Sequence, residues 1–257
     1  LPEENAMRMD ETLYSLFDAT EETHWWFVAR RKIVLEMLRS ILPPGVPRIL
    51  DVGCGTGSTL KELEKMGEAV GADISEEAIA YCRRRGCGDV RLVAEDELPF
   101  RDGDFDAVLS LDVLEHIENE AAALAEYRRV LKPGGVLLLT TPAYAWLWSA
   151  HDDINHHRRR YTRRSLEQLL AQSGCGIERL SYFCTLLFPL VAAIRMGFKL
   201  FHRSGRGLEF KIPGPHVNRV CRAIFASEAA WLARRDFPFG SSLMAICRRP
   251  NTVISKQ

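Results

Sequence analysis

The chain has no excess of either charge, with 34 lysines and arginines against 34 acids, so whole-chain attraction to a polyanion is not a usable argument. It has no C-x-x-C pair. Its seven cysteines, Cys54, Cys82, Cys87, Cys175, Cys184, Cys221 and Cys247, are odd in number and scattered, which excludes both a disulfide framework and a thiolate zinc site and points to a reducing, cytoplasmic setting. No apolar run reaches the roughly 18 uninterrupted residues of a spanning helix. The longest apolar stretch, Thr185 to Phe201, is broken by Pro189, Arg195 and Lys199. The opening Leu1-Pro2-Glu3-Glu4 lacks the basic patch and apolar run of a secretory leader, and there are no repeats or low-complexity tracts. What is present is 257 residues with 47% hydrophobic and 26% charged content, enough for one sizeable core and one enzyme-sized domain.

The balanced charge hides an asymmetry: residues 1–150 carry a net −11 and residues 151–257 a net +11. A basic second part suits an anionic substrate or a phospholipid surface, beside the simpler reading of solvated arginines. From Arg48 onward, short apolar runs alternate with helical periods, the pattern of a parallel α/β fold. The spacing predicts strands at 47–52, 69–73, 90–93, 105–111 and 136–141, and helices from Ser58 to Met66, from a Ser75 cap, and from Asn119 to Leu131. Further strands are expected at 176–183 and 242–248, with a helix capped by Thr162 before them. The expected organisation is an N-terminal helical cap (1–46), an α/β core (47–182) with an acceptor loop at 143–161, a helical insertion (183–240) and a last strand with its tail (241–257), all in one domain.

Ile49-Leu50-Asp51-Val52-Gly53-Cys54-Gly55-Thr56-Gly57 puts three glycines in five residues between a strand and a helix. Such a turn lets backbone N–H groups approach a ligand closely. The spacing is G-x-G-x-G and not the G-x-G-x-x-G of a dinucleotide fingerprint, and Asp73 ends the second strand, where an acid can accept both hydroxyls of an unphosphorylated ribose. Together they imply a nucleoside without a pyrophosphate.

Leu50 to Gly57, Asp73, Leu98-Pro99-Phe100 to Phe105-Asp106, Leu111-Asp112-Val113-Leu114-Glu115-His116 and Leu131-Lys132-Pro133-Gly134-Gly135 resemble, in the correct order, class I S-adenosylmethionine-dependent methyltransferases. The resemblance is nearest the small-molecule branch that includes ubiquinone-biosynthesis O-methyltransferases. It implies a Rossmann-like seven-stranded sheet with a reversed last strand, with S-adenosyl-L-methionine as cofactor. Carried over residue by residue, Gly53, Cys54, Gly55 and Gly57 would hold the methionine moiety, Asp51 its ammonium through water, and Asp73 with Ile74 the ribose. Leu111 and Asp112 would lie close to the cofactor. An acid common in the family four residues before Leu-Pro-Phe is replaced by Ala94, so that contact is expected either from backbone or from Glu95. His24-Trp25-Trp26-Phe27 with Arg30-Arg31 also resembles bacterial members and puts Trp26 and Arg30 near the cofactor, Arg30 toward its carboxylate.

Methyl transfer from a sulfonium is an in-line displacement that needs alignment, exclusion of water and, for hydroxyl or ammonium acceptors, a base. The segment from Trp146 to Tyr161 concentrates histidines, arginines and aromatics at the carboxyl ends of the strands, the ligand edge of open α/β folds. His156 and His157 are therefore the expected bases, with Tyr161 beside them, and the neighbouring arginines are placed to meet an acid or phosphate. A metal held by His151, Asp152, His156 and His157 is disfavoured because adjacent loop histidines rarely point at one ion; no metal is expected. The Asn- or Asp-Pro-Pro-aromatic signature of nucleic-acid amino-methyltransferases is missing after the fourth strand, so the expected acceptor is a small molecule and not a nucleic acid. Residues 183–240 are expected to cover the acceptor pocket, with peripheral membrane contact through 183–206 as the competing reading. A cofactor-binding module without transferase activity is the second functional class.

Overall fold

The computed structural model describes residues 11–94, 97–200 and 211–251. Its elements, in chain order, are α1 (Glu11–Thr20), α2 (Trp25–Ile41), β1 (Arg48–Val52), α3 (Ser58–Leu63), β2 (Glu68–Asp73), α4 (Glu76–Arg84), β3 (Asp89–Leu92), β4 (Phe105–Leu111), α5 (Glu120–Val130), β5 (Leu131–Pro142), α6 (Ala150–Ile154), α7 (Arg163–Gln172), β6 (Gly176–Phe183), α8 (Phe188–Leu200), α9 (Pro215–Leu232) and β7 (Ser242–Arg248). The strands form one seven-stranded sheet in the order β3-β2-β1-β4-β5-β7-β6. All neighbours from β3 to β5 are parallel, whereas β7 runs antiparallel to both β5 and β6. This is the Rossmann-like seven-stranded sheet with its last strand reversed that the resemblance implies.

The central strands are buried on both faces, which is why they read as unbroken apolar runs. Ile49, Leu50, Ala107, Val108, Leu109, Leu137, Leu138 and Leu139 have no accessible surface. The helices start where their caps dictate. Ser75 accepts from the Ala78 N–H, Asn119 from Ala122 and Thr162 from Ser165, each satisfying a donor that has no partner within the helix.

Three local expectations shift. β5 begins at Leu131 instead of Val136, because Leu131 already pairs with Phe105; the Lys132-Pro133-Gly134-Gly135 turn is absorbed as an irregularity where the register slips between Phe105 and Ala107. The helix after the glycine loop ends at Leu63, three residues before Met66. The acceptor loop is not structureless: it contains a 3-10 turn at Ala145–Leu147 and the short helix α6. Ser149 and Asp152 form a reciprocal capping box on α6, an S-x-x-D signature that was available in the sequence.

The insertion does not stand apart from the rest. α9 lies along α2, where the Asn218 amide accepts from the Trp25 N–H (2.8 Å) and donates to the Thr23 carbonyl (2.9 Å), and Phe225 meets Trp25 edge-on. α8 crosses the 3-10 turn, with Phe188 packed on Tyr144, Trp146 and Phe239. Among the described residues no helix is long and apolar enough to cross a membrane.

Candidate functional site

The strand order reverses between β1 and β4, so the loops leaving their carboxyl ends diverge and open a crevice, the position at which open α/β sheets bind ligands. A cleft occupies it. Its lining includes Gly53 and Gly55 from the glycine loop, Asp73, Ile74 and Ser75 after β2, Val93, Ala94 and Leu98 beyond β3, Asp112 and Val113 after β4, and His116, Asn155, His156 and Arg158 at the far end.

The glycine loop fits this place for steric reasons. Gly53 has φ +69°, and a Cβ there would lie 2.4 Å from Val113 Cγ2; only glycine holds that turn against the neighbouring loop. Gly55, at φ +54°, would meet nothing within 4 Å, so its backbone borders open space in the cleft. The loop is tied to Asp73, whose Oδ2 accepts from the Gly55 N–H (2.9 Å) and whose Oδ1 accepts from Ser75 (3.0 Å). Each carboxylate oxygen keeps lone pairs for a further donor. Burial raises the Asp73 carboxyl, and the backbone N–H groups of Gly55, Ser75 and Ile74 counter it.

Asp51 is buried behind the loop. Burial pushes its carboxyl up to about 7, with Arg30 pulling it down and Asp73 pushing it further up. Arg30 pairs directly with the Asp112 carboxylate, whose other oxygen accepts from Thr140 Oγ1 (3.1 Å), and its guanidinium lies 4.8 Å over the Trp26 ring. The Trp26 ring does not border the cleft; it backs Arg30. His24 accepts from the Trp26 N–H as the N-cap of α2, and burial lowers its imidazole to about 4. Cys54 and Leu111 are buried, with Cys54 Sγ 3.7 Å from Cys82 Sγ, and Gly57 caps α3 with its α-carbon turned toward Cys82 and Cys87. Glu95 lies outside the described residues.

At the other end, the three expected catalytic side chains separate. His156 is exposed, borders the cleft and has a left-handed backbone at φ +54°. His157 is turned inward: its Nδ1 lies 2.8 Å from Asp152 Oδ1. Tyr161 is buried and donates its hydroxyl to Glu120 (2.5 Å), away from the cleft lining. Asp152 anchors this region. It has no exposed side-chain surface, accepts from Arg160 Nε (2.7 Å) and the Ser149 N–H (2.8 Å), and its carboxyl is held well below the usual range against its own burial by His157 and Arg160.

One contributor, from α1, escaped the sequence reading. Tyr14 borders the cleft beside Asp73 and Ser75. It is carried there because Arg85, at the end of α4, grips Asp18 (2.6 Å), Glu21 (2.5 Å) and Glu22 (2.9 Å) of the α1 region while donating to the Thr56 carbonyl (2.9 Å). Asn155 and His116 also reach the cleft. For Tyr14 the only sequence signal was an acidic helix ahead of a basic helix end, which is common to solvated surfaces.

Residues 50–139 match the model of the methyltransferase domain family. The chain is 31% identical over 161 residues to a probable S-adenosylmethionine-dependent methyltransferase of Mycolicibacterium smegmatis, covering 61% of this chain and 62% of that one. It is 32% identical over 172 residues to a sterol 24-C-methyltransferase of Gibberella zeae, covering 63% and 42%. The chain thus spans less than two thirds of these relatives' own length. Among solved structures, a methyltransferase of Thermotoga maritima superposes with a TM-score of 0.59 at 16% identity over 95% of this chain and 99% of that one, a likeness of fold. The sheet order, the reversed strand and the glycine-loop segment agree with the family match: residues 50–139, from the glycine loop to β5, carry the pattern of a methyltransferase domain.

Proposed function

We propose that the chain transfers a methyl group from S-adenosyl-L-methionine to a small, partly apolar acceptor, as an O- or N-methylation. The observation that carries this reading is the continuity of the cleft, which runs from Asp73 and the glycine loop to His116, His156 and Arg158. In this reading Asp73 would hold the adenosyl ribose, Gly53 and Gly55 with Asp51 would hold the methionine end, and His116 and His156 would border the acceptor. His156 then takes the acceptor proton and Arg158 meets an anionic group, while His157, held by Asp152, positions the segment beneath. When bound, the cofactor supplies the electrophilic methyl; the protein aligns it, keeps water out and removes a proton.

The insertion offers a second surface that suits an apolar acceptor. α8 buries none of its side chains, and its outward positions, with Leu186 just before it, include Leu190, Ile194 and Leu200, at 51%, 48% and 70% exposure. Its two cations turn back toward the protein, Arg195 onto the Leu147 carbonyl (2.8 Å) and Lys199 onto the Trp146 carbonyl (2.7 Å). Residues 186–222 hold seven lysines and arginines and one acid. An apolar helix face beside a basic segment matches an anionic bilayer surface, and we assign peripheral contact to it.

Three outcomes are expected. The first concerns Asp51, half protonated near pH 7 in the free protein and ionised beside the cofactor ammonium. Binding then expels a proton below pH 7, and calorimetric affinity for S-adenosylmethionine should be about fivefold weaker at pH 6 than at pH 7. Asp51→Asn should flatten that dependence, and a wild-type affinity that does not change over this range contradicts the assignment. The second uses methyl-labelled cofactor and metabolite extracts: label should pass to a small molecule, and His156→Ala should slow transfer by about 10²-fold or more with cofactor affinity nearly unchanged. Full activity in that variant removes His156 as the base. The third is flotation with vesicles containing phosphatidylglycerol, which should recover the protein at low salt. Leu190→Asp with Ile194→Asp should leave it in solution, and equal recovery of both proteins, or no recovery of the wild type, refutes the membrane contact.

A further inference from the structure

The buried side of the histidine end contains a group the methyl-transfer reading does not use. Glu115 has no accessible side-chain surface, and neither of its carboxylate oxygens has a hydrogen-bond partner. Neighbouring carboxylates are matched: Asp112 has Arg30, and Asp152 has Arg160 and His157. Among the described residues, the direct cationic neighbour of Glu115 is the His157 ring, whose Nε2 is 3.9 Å from its Oε1. A proton on Oε1 could at most be shared with His157 Nε2 and would leave Oε2 without a partner. A cation can satisfy both oxygens.

The surrounding atoms have the chemistry for one. Ligand atoms of Glu115, His116 and His157 all lie within 4.8 Å of one another, and the two rings meet edge-on with centroids 4.8 Å apart. Two ligands bound to one ion at about 2.1 Å are about 3.4 Å apart across a tetrahedral angle, so rotamer adjustments of about an ångström close the set. His157 already has the support a ligating histidine requires. Asp152 takes its Nδ1 at 2.8 Å, leaving Nε2 toward Glu115, and Asp152 is fixed in turn by Arg160 and the Ser149 N–H. A carboxylate behind a histidine whose other nitrogen faces a vacant donor set is the outer-shell arrangement of protein zinc sites.

We propose that Glu115, His116 and His157 bind one divalent transition-metal ion of the zinc type. Two imidazoles and one carboxylate select borderline cations such as Zn²⁺ or Co²⁺ over Mg²⁺ or Ca²⁺, which prefer all-oxygen shells. Three protein ligands leave a position for water or an acceptor oxygen, and His116 borders the cleft. That last role, at the acceptor edge, rests on the methyl-transfer reading, whereas the metal site itself does not. The sequence reading weighed a different set, His151, Asp152, His156 and His157, and expected no metal; Glu115 and His116 follow β4 while His157 arrives from beyond α6, and His156, adjacent to it, faces the cleft instead.

The test is titration of the untagged, chelator-treated full chain with Co²⁺, read by visible absorption and native mass spectrometry. One equivalent should bind with micromolar or tighter affinity and give the intense bands of low-coordinate Co²⁺, and Zn²⁺ should displace it. Glu115→Gln should weaken binding at least tenfold, and Asp152→Asn by about tenfold through loss of His157 support. Near-UV circular dichroism confirms folding, and if Glu115→Gln does not fold, His157→Gln replaces it. Folded wild-type protein that takes up no stoichiometric metal overturns the proposal, as does uptake unchanged in the folded variants. S-adenosylmethionine affinity is measured on the same samples: its loss in a protein that binds metal counts against the methyl-transfer reading alone, and its retention in a protein that binds none counts against the metal site alone.

Discussion

The reversal of strand order between β1 and β4 is the constraint on which the rest of the molecule depends. β1 is followed outward by β2 and β3, and β4 by β5, so the two central strands release their chains in opposite directions and nothing in the sheet covers the gap between them. Every cleft residue is delivered from one of these carboxyl ends or folded over it. The glycine loop leaves β1, Asp73 ends β2, Asp112 follows β4, and the segment around His156 follows β5. At Gly53 two loops from adjacent strands share space that a single methyl group would fill.

Charge is managed differently at the two ends of the cleft. At the glycine-loop end, Asp51 and Asp73 are both buried and near each other, a costly pairing of like charges that Arg30 relieves only in part. That leaves a negative potential ready for a cation, which suits a ligand carrying both an ammonium and a sulfonium. At the histidine end, Asp152 is neutralised by Arg160 and used as a structural hub, so that one buried carboxylate caps α6, orients His157 and holds Arg160. Removing it would leave a buried guanidinium without its partner, the kind of loss that costs several kcal/mol in general, about 3–5.

Much of this was legible in the sequence, for identifiable reasons. The central strands carry their own signal because burial on both faces demands continuous apolar runs, and the caps at Ser75, Asn119 and Thr162 carry theirs because unsatisfied N–H groups demand specific side chains. The glycine spacing and Asp73 are local and therefore readable. Illegible parts are those made by distant chain segments meeting. Tyr14 reaches the cleft through Arg85, 71 positions later in the chain by number, and no periodicity encodes that. His156 and His157 look equivalent in sequence, yet a left-handed residue at 156 and the α6 capping box send one to the cleft and the other to Asp152. Tyr161 is drawn to Glu120 by a contact across 41 residues.

The central claim is that this crevice is built for an adenosyl group with a cationic amino-acid tail and no pyrophosphate. The most direct measurement is a calorimetric comparison of S-adenosylmethionine, its demethylated product and NAD⁺, on the wild type and on Asp73→Ala. The account predicts micromolar or tighter affinity for the first two, binding of NAD⁺ at least about a hundredfold weaker, and at least a tenfold loss for both adenosyl ligands in the variant, since each ribose hydroxyl bond to a charged acceptor contributes about 1.5–3 kcal/mol. NAD⁺ bound as tightly as the adenosyl ligands, or an Asp73→Ala protein with unchanged affinity for them, would contradict it.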